Sequence, residues 1–244
     1  MNIGINKSTD VIKVLPFQKE WAKFYENERK ELEKILSHLK VGIHHYGSTS
    51  IEGCYAKPII DIGLTVDNPK DMEPVAQALA KNGWHVNGLS DDRIYMQVIP
   101  GKIGARHVTG DGVTTTHAHI HVRETKVFYD STVFRDYLRL NPEIVQEYSA
   151  IKLKSAEYIK TKFSQGHGLN PDRNLKNREE SPLWIYSHGP FGKQEFLSRT
   201  LKAAYEYFKI KLNEDLDKAT VEEWQNIKTR WSKKWEQEHA EHPN

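Results

Sequence analysis

The segment from Ile59 to Val66 constrains the fold more than any other part of the chain. It reads Ile-Ile-Asp-Ile-Gly-Leu-Thr-Val, and apolar residues occupy both its odd and its even positions. A strand that is apolar on both faces is typical of the interior of a sheet covered by helices. An amphipathic helix over 72–80 follows it directly. This order of elements predicts an α/β fold.

The remaining elements alternate between helical and extended periodicity. Apolar residues at three- and four-residue steps predict a helix over 16–40, with Pro16 in its first turn. Two more helices are predicted, one through 134–138 and one over 142–163. Strands are predicted over 43–46, 84–86, 93–99 and 114–123. Together these elements indicate a mixed β-sheet flanked by helices.

The chain divides into three parts by composition. Residues 1–164 hold the α/β pattern and are predicted to form one domain. Residues 165–182 are rich in Gly, Asn, Pro and Arg and are typical of a linker. Residues 183–244 are helical in pattern and are predicted to form a C-terminal extension. Its helices offer a surface for a protein partner.

Charge and cysteine content exclude several classes of protein. The 35 basic and 33 acidic residues give a net charge of +2, so that we do not expect a nucleic-acid-binding protein. The single Cys54 excludes an internal disulfide and a cysteine-only zinc site, and it fits a reducing compartment. No apolar run approaches the roughly 20 residues of a membrane span, and the N-terminus lacks the pattern of a secretion signal. We therefore expect a cytoplasmic protein without a membrane partner.

A turn of small residues follows the strand predicted over 43–46. Gly47, Ser48, Thr49 and Ser50 would allow backbone amides and hydroxyls to approach an anion. The segment lacks the glycine spacing and the Lys-Ser/Thr pair of a Walker loop. A turn without any ligand is the more common role of such a sequence.

An acidic residue interrupts the apolar strand. Asp61 would be costly in a buried strand unless it were paired, hydrogen-bonded or bound to a metal. One interpretation is a buried carboxylate that pairs with Lys57 or caps a neighbouring loop. The other is a metal or phosphate site at this end of the strand.

Three of the twelve histidines share one face of a predicted strand. His117, His119 and His121 alternate with Ala118 and Ile120, so that the imidazoles point the same way. Such a face suits a metal or a phosphorylated ligand, although a solvated strand face gives the same pattern. The three span about 13 Å, and we therefore expect at most two adjacent ones to share a ligand.

A basic segment with glycines lies between two predicted strands. Arg93 and Arg106 flank Gly101 and Gly104, with Lys102 between them. This arrangement could clamp a phosphate, and it is equally typical of a solvated hairpin.

Several of these motifs, in this order, resemble the GrpB family of the nucleotidyltransferase superfamily over about 14–163. The motifs are His45-Tyr46-Gly47-Ser48-Thr49-Ser50, Lys57-Pro58-Ile59-Ile60-Asp61-Ile62, Thr116-His117-Ala118-His119-Ile120-His121-Val122 and Phe134-Arg135-Asp136-Tyr137-Leu138-Arg139. The resemblance implies a small nucleotidyltransferase-like α/β domain. It also implies a Gly-Ser turn that holds nucleotide phosphates and a pair of carboxylates that binds magnesium.

Carried onto this sequence, the resemblance places the turn at Gly47 and Ser48 and the first carboxylate at Asp61. The second carboxylate position is Gly63, which has no side chain. The strand that would supply a third carboxylate has His119 and His121 instead.

The function that the resemblance implies is metal-dependent transfer of a nucleotidyl group from a nucleoside triphosphate to a small acceptor. The expected catalytic and metal-binding residues are Asp61, His119 and His121, with Mg²⁺ or Mn²⁺ as the metal. The expected nucleotide- and phosphate-binding residues are Gly47, Ser48, Thr49, Lys57, Arg93 and Arg106.

Two alternatives stay open at this stage. Gly63 favours a catalytically inactive module that binds a nucleotide, a phosphometabolite or a protein partner. The pattern His117-x-His119-x-His121-Val122 is also similar to a histidine triad. In that case His119 would attack a nucleotide phosphorus without any metal.

Overall fold

A six-stranded mixed sheet organises the protein, in a computed structural model that describes residues 12–89, 94–98, 106–109, 112–164 and 182–240. In sequence order the strands are β1 (Gly42–Tyr46), β2 (Ile59–Val66), β3 (Trp84–Leu89), β4 (Ile94–Val98), β5 (Arg106–Thr109) and β6 (Gly112–Val122). Across the sheet the order is β1-β2-β6-β4-β3, and β5 pairs with β6. The predicted mixed sheet is confirmed.

The parallel pair of β2 and β6 lies inside the sheet, and the other strand pairs are antiparallel. In the parallel register Asp61 lies opposite His117, and Gly63 lies opposite His119. Since side chains alternate between the faces of a strand, these four positions share one face of the sheet.

Helices cover the sheet and extend beyond it. Their bounds are α1 (Glu20–Ile35), α2 (Met72–Lys81), α3 (Lys126–Leu140), α4 (Pro142–Ser164), α5 (Pro182–His188), α6 (Gln194–Phe208) and α7 (Glu214–Ala240). Short 3₁₀ turns occur at Ser48–Ser50 and Pro69–Asp71. In the described part of the chain, none of the helices combines the length and the apolarity needed to cross a membrane.

One face of the central strands forms the main hydrophobic core. Ile60, Ile62 and Leu64 of β2 are fully buried there with Ala118 and Ile120 of β6. Helices α1, α2 and α7 complete this core with Trp21, Leu32, Val75, Leu79, Trp224 and Ile227. Burial of this apolar surface is the main force that holds β2 in place.

The opposite face of β2 differs from the prediction that both faces are apolar. After Ile59 it presents Asp61, Gly63 and Thr65, and Thr65 is fully buried. The Thr65 hydroxyl lies 3.1 Å from Nε2 of His44 on β1. This face is therefore covered by polar and aromatic side chains of neighbouring elements, which allows a polar site to form on it.

The prediction that Pro16 belongs to the first turn of a helix is wrong. Helix α1 begins at Glu20, because residue Leu15 pairs with Ala56 through two backbone hydrogen bonds of 2.8 Å. An extended pairing at Leu15 is incompatible with a helix that starts at the next residue. The chain turns into the helix only after Gln18, whose carbonyl accepts from the amide of Trp21 at 3.2 Å.

The C-terminal helices pack against the α/β part of the chain. Helix α5 contacts α4, α6 contacts α3, and α7 contacts the turn at Pro69–Asp71. Trp224 and Ile227 of α7 are buried in the main core, and Phe196 of α6 stacks on Tyr148 of α4 with ring centroids 4.9 Å apart. The extension predicted over 183–244 thus shares its core with the first domain.

Candidate functional site

The site is built around the Asp61 carboxylate on the polar face of β2. Its Oδ1 lies 3.5 Å from Nε2 of His119 and 3.8 Å from Nδ1 of His117. Burial alone would raise the pKa of the Asp61 carboxyl. Contact with His119, together with the positive charges that His119, His117 and Lys57 carry when protonated, outweighs burial, and the pKa lies below its ordinary value. Asp61 is therefore a carboxylate at neutral pH.

The glycine turn lies directly against this carboxylate. Gly47 has φ 73° and ψ 179°, a region that is essentially restricted to glycine. A Cβ on Gly47 would lie 2.9 Å from Cβ and Cγ of Asp61 and would collide with its Oδ2. Two independent requirements thus fix glycine at this position. The turn and the first carboxylate, which the sequence links only by resemblance, are in contact in the structure.

The hydroxyls of the turn are used in different ways. Thr49 is buried, and its Oγ1 donates to the carbonyl of Ile59 at 2.9 Å. The Ser50 hydroxyl donates to the Gly47 carbonyl at 2.6 Å. These two hydroxyls hold the turn together, so that Thr49 has only its backbone amide to offer to a phosphate. Ser48, which lies beside Tyr148 of α4, has a partly exposed side chain.

Two arginines of α3 hold the turn from outside. Arg135 donates to the carbonyl of His45 at 2.9 Å, and Arg139 donates to the carbonyl of Ser50 at 2.7 Å and 3.1 Å. Both come from the segment Phe134–Arg139 that carries part of the family resemblance. Sequence reasoning gave this segment no role, and the structure shows that it positions the strand end and the turn.

The position expected for a second carboxylate is filled by an aromatic ring. A Cβ on Gly63 would collide with Cε1 of Tyr46 and would lie 2.7 Å from its Cδ1. Tyr46 is itself buried. The absence of a carboxylate at Gly63 is therefore built into the packing of β1 against β2.

His121 lies apart from Asp61, one pleat beyond His119. Its Nε2 is 2.9 Å from the Tyr46 hydroxyl, and its side chain is buried. The family resemblance implies His119 and His121 as the pair that accompanies Asp61. The structure instead brings His117 and His119 to Asp61 and places His121 against Tyr46.

Burial also shifts the pKa values of the histidines next to the turn and the carboxylate. It lowers the pKa of His117 to about 4, against the opposing charge of Asp61. It likewise lowers the pKa of His45 to about 4. His45 stacks on Tyr25 of α1, with ring centroids 4.5 Å apart, and its Nε2 lies 3.2 Å from Oγ1 of Thr49. Both imidazoles are neutral at neutral pH, which is the form that accepts a proton or binds a metal.

Two lysines approach the site from different parts of the chain. Lys57, which precedes β2, lies with its Nζ 5.5 Å from the centroid of the Tyr186 ring. Burial, and then the charge of Lys193, lower the pKa of Lys57 to about 8, while Asp61 opposes this change. Lys57 was expected from the sequence, but Lys193 was not. The one sequence signal for Lys193 is the tight segment Gly189-Pro190-Phe191-Gly192 that precedes it.

The predicted basic segment is only partly described. Arg93 lies outside the described residues, as do Gly101, Lys102 and Gly104. Arg106 begins β5, where its backbone pairs with Thr115 of β6, and its side chain lies outside the described part of the structure. The phosphate-binding role expected for Arg93 and Arg106 stays a prediction.

The donor set decides which metal could be held at this site. Among the described residues, no group of three or more His, Cys, Asp or Glu side chains is arranged to hold a metal ion. Gly63 supplies no oxygen and Tyr46 occupies its place, so that the residues do not fit a site for two magnesium ions. They do fit one ion bound by a single carboxylate, because Mg²⁺ takes its remaining ligands from substrate phosphates and water.

Comparisons with known proteins agree with this architecture. The family model described as GrpB protein matches residues 11–165. The protein is 28% identical to UPF0157 protein YqkA of Bacillus subtilis over 70% of this chain, although the match spans only 47% of that relative. It is also 28% identical to glutamate-rich protein GrpB of Alkalihalophilus pseudofirmus, over 64% of this chain and 86% of the relative.

A solved structure extends the comparison to the fold. The crystal structure of conserved protein GrpB from Enterococcus faecalis superposes with a TM-score of 0.56 at 25% identity, and it covers 80% of this chain and 99% of that one. The matched family model covers the strands, the glycine turn and both histidine-bearing positions next to Asp61. This chain belongs to the GrpB family.

Proposed function

We propose that this protein binds a nucleoside triphosphate together with one divalent metal ion at Asp61, and that it transfers a nucleotidyl group to a small acceptor. The acceptor hydroxyl oxygen would form a bond to the α-phosphorus, and pyrophosphate would leave. One observation carries the proposal: the Asp61 carboxylate lies against the Gly47 turn, with His119 and His117 at 3.5 Å and 3.8 Å. A turn that exposes backbone amides suits phosphates. An adjacent carboxylate suits the cation that accompanies them.

Asp61 is the residue proposed to hold the metal, with His119 as a second ligand. Mg²⁺ prefers oxygen ligands, whereas Mn²⁺ accepts carboxylate more readily alongside imidazole. The mixed donor set therefore favours Mn²⁺ over Mg²⁺. When bound, such an ion would neutralise negative charge on the phosphates.

Other residues of the chain are proposed to bind and orient the substrates. Ser48 and the backbone of the turn would contact the phosphates, with Arg135 and Arg139 holding the turn in place. His117 shares the polar sheet face with His119 and is proposed to accept the proton of the acceptor hydroxyl. His121 is bonded to Tyr46, and we propose a positioning role for it.

Calorimetry with the four nucleoside triphosphates and Mn²⁺ or Mg²⁺ tests the binding step. Asp61→Asn should abolish metal-dependent nucleotide binding. Asp67→Asn is the matched control. Asp67 directly follows the same strand, and its carboxylate pairs with Nε of Arg123 at a distance of 2.9 Å instead of lying against the turn. The proposal fails if the wild-type protein binds no nucleotide with either metal, or if Asp61→Asn binds as tightly as wild type.

A second candidate function is a nucleotide- or phosphometabolite-binding module without catalysis. The Tyr46 ring in the place of a second carboxylate favours it, because two-metal phosphoryl chemistry needs oxygen ligands for both ions. Tight nucleotide binding with no turnover over a panel of hydroxyl and amine acceptors would favour this candidate. The histidine-triad alternative predicts instead that a nucleoside phosphoramidate is hydrolysed in the presence of a chelator.

A further inference from the structure

Lys193 joins the site although it lies beyond the segment that the family model matches. It stands between α5 and α6, directly after the tight segment that ends at Gly192. A Cβ on Gly192 would lie 2.6 Å from the carbonyl oxygen of Ser187 and 2.8 Å from the backbone of His188. Close packing of the chain on the end of α5 thus fixes the backbone position of Lys193.

A single tyrosine ring organises the two lysines of the site. The Nζ of Lys193 lies 5.7 Å from the centroid of the Tyr186 ring, and the Nζ of Lys57 lies 5.5 Å from it. Tyr186 is buried on α5, where its carbonyl accepts from the hydroxyl of Ser155 on α4 at 3.2 Å. Because its backbone and ring are fixed, Tyr186 sets the positions of both ammonium groups through cation–π contacts.

The two ammonium groups are not balanced by an equal number of carboxylates. Among the described residues, Asp61 is the acidic side chain whose charge acts on both lysines. Burial lowers the pKa of Lys193 below its ordinary value, as it does for Lys57, and Asp61 opposes the change. Two partly buried cations that share one carboxylate have a charge surplus, which a multiply charged anion would complement.

We propose that Lys193 and Lys57 bind the terminal phosphates of the nucleoside triphosphate, so that the C-terminal extension completes the polyphosphate-binding site. The identity of the ligand rests on the proposed function, while the anion site itself rests on the lysines and Tyr186. Ammonium groups bind phosphates as compact point charges. The subsite would therefore distinguish triphosphates from monophosphates and would contribute little to the choice of base.

Inorganic tripolyphosphate in the presence of EDTA tests this site without any metal. Each ammonium that makes a charge-assisted hydrogen bond should contribute roughly tenfold to the affinity. We expect Lys193→Gln and Lys57→Gln each to weaken tripolyphosphate binding by about that factor, and Lys193→Arg to retain most of it. Lys202→Gln is the matched control, because Lys202 is exposed on α6. It should bind like wild type.

Comparison of ATP with AMP gives a second readout. Lys193→Gln should weaken ATP binding while it leaves AMP binding unchanged, and its circular dichroism and melting temperature should match those of Lys202→Gln. The proposal is overturned if wild type binds no tripolyphosphate, if Lys193→Gln binds it like wild type, or if AMP binding falls as much as ATP binding. A variant that fails to fold is replaced by Lys193→Met, to which the same criteria apply.

Asp61→Asn separates the failure of this site from the failure of the proposed function. Removal of the carboxylate should leave metal-free tripolyphosphate binding intact or strengthen it, because a negative charge is lost next to the lysines. It should abolish metal-dependent nucleotide binding. If tripolyphosphate binds through Lys193 but no acceptor is ever modified, the transferase proposal fails and the anion site stands. If transfer occurs and Lys193→Gln does not affect it, only the anion site fails.

Discussion

The ring of Tyr46 occupies the space that a side chain on Gly63 would need. Restoration of a carboxylate by Gly63→Asp alone should therefore destabilise the protein by about 1–3 kcal/mol or more through overpacking. It should not create a stronger metal site, because the new side chain cannot lie beside Asp61. Urea denaturation and Mn²⁺ titration of Gly63→Asp measure the two effects.

A double-mutant cycle tests whether the Tyr46 ring causes the destabilisation expected for Gly63→Asp. The double variant Tyr46→Ala with Gly63→Asp should lose less unfolding free energy than the two single variants lose together. The difference should exceed about 1 kcal/mol, as expected for residues in contact. Tyr46→Phe is the control, since it removes the hydroxyl bonded to His121 but keeps the ring. Additive effects of Tyr46→Ala and Gly63→Asp would contradict this account.

Gly47 and Gly53 both have positive φ, at 73° and 75°, but they differ in their surroundings. A Cβ on Gly53 has no atom within 4 Å, whereas a Cβ on Gly47 would meet Asp61. We expect Gly53→Ala to lower the free energy of unfolding by about 1–2 kcal/mol, because of its backbone conformation alone. Gly47→Ala should lower it further, because its Cβ also meets Asp61. Thermal and urea denaturation of both variants provide the comparison.

The Asp61→Ala background separates two contributions to the loss of stability in Gly47→Ala, the backbone conformation and the contact with the Asp61 side chain. It removes the collision with Oδ2 but keeps the contact of 2.9 Å with Cβ of residue 61. Gly47→Ala should therefore be milder in this background than in wild type, without becoming as mild as Gly53→Ala. An equal cost in both backgrounds would mean that the turn does not lie against Asp61.

Alternation of side chains is the reason that so much of the sheet was predictable. The buried positions Ala118, Ile120 and Val122 and the polar-face positions between them follow directly from a period of two. The strand register does not follow from it. A slip of two residues between β2 and β6 would keep every side chain on its face, yet it would place Asp61 beside His119 and His121 instead of His117 and His119.

Long-range packing determines the parts of the site that sequence reasoning missed. The contact between Tyr46 and Gly63 depends on how β1 pairs with β2, and the Asp61 motif alone carries no sign of it. Lys193 reaches the site because α5 packs on α4, with Ser155 bonded to the Tyr186 carbonyl. A composition that is typical of an appended helical segment gives no information about such docking.

Trp224 links the C-terminal extension to the main core. It is fully buried on α7, among the side chains that also cover β2. Trp224→Ala should destabilise the whole protein by about 3–5 kcal/mol. Val221→Ala on the same helix is the control, because Val221 is 45% exposed, and it should change stability by less than about 0.5 kcal/mol. Urea unfolding, monitored by circular dichroism, should show for Trp224→Ala a single transition that is shifted to lower urea concentration. An early separate transition, with the remaining structure unaffected, would mean that the extension folds independently.

Glu28 makes stability depend on pH between the ordinary pKa of glutamate and neutrality. Its side chain is buried on the inner side of α1. Burial, with a smaller contribution from Glu31, raises its pKa from 4.5 to about 7. The native protein therefore holds a proton that the unfolded chain releases above pH 4.5. Stability from this group is fully present below about pH 4.5 and is lost as the pH rises through 7.

The expected loss is about 3 kcal/mol, because each unit of pKa difference corresponds to about 1.4 kcal/mol. Glu28→Gln removes the titrating group, so that its unfolding free energy should rise relative to that of wild type by about 3 kcal/mol between pH 5 and pH 8. The lowered pKa values of His45 and His117 make stability rise between about pH 4 and 6.5, and they do so equally in both proteins. Glu20→Gln serves as the control, since Glu20 is exposed on the same helix, and its profile should parallel that of wild type. Urea denaturation at closely spaced pH values measures the slope. If the unfolding free energies of Glu28→Gln and wild type differ by the same amount at pH 5 and at pH 8, then Glu28 is not the group that titrates, and the carboxylate is already ionised in the folded protein at pH 5.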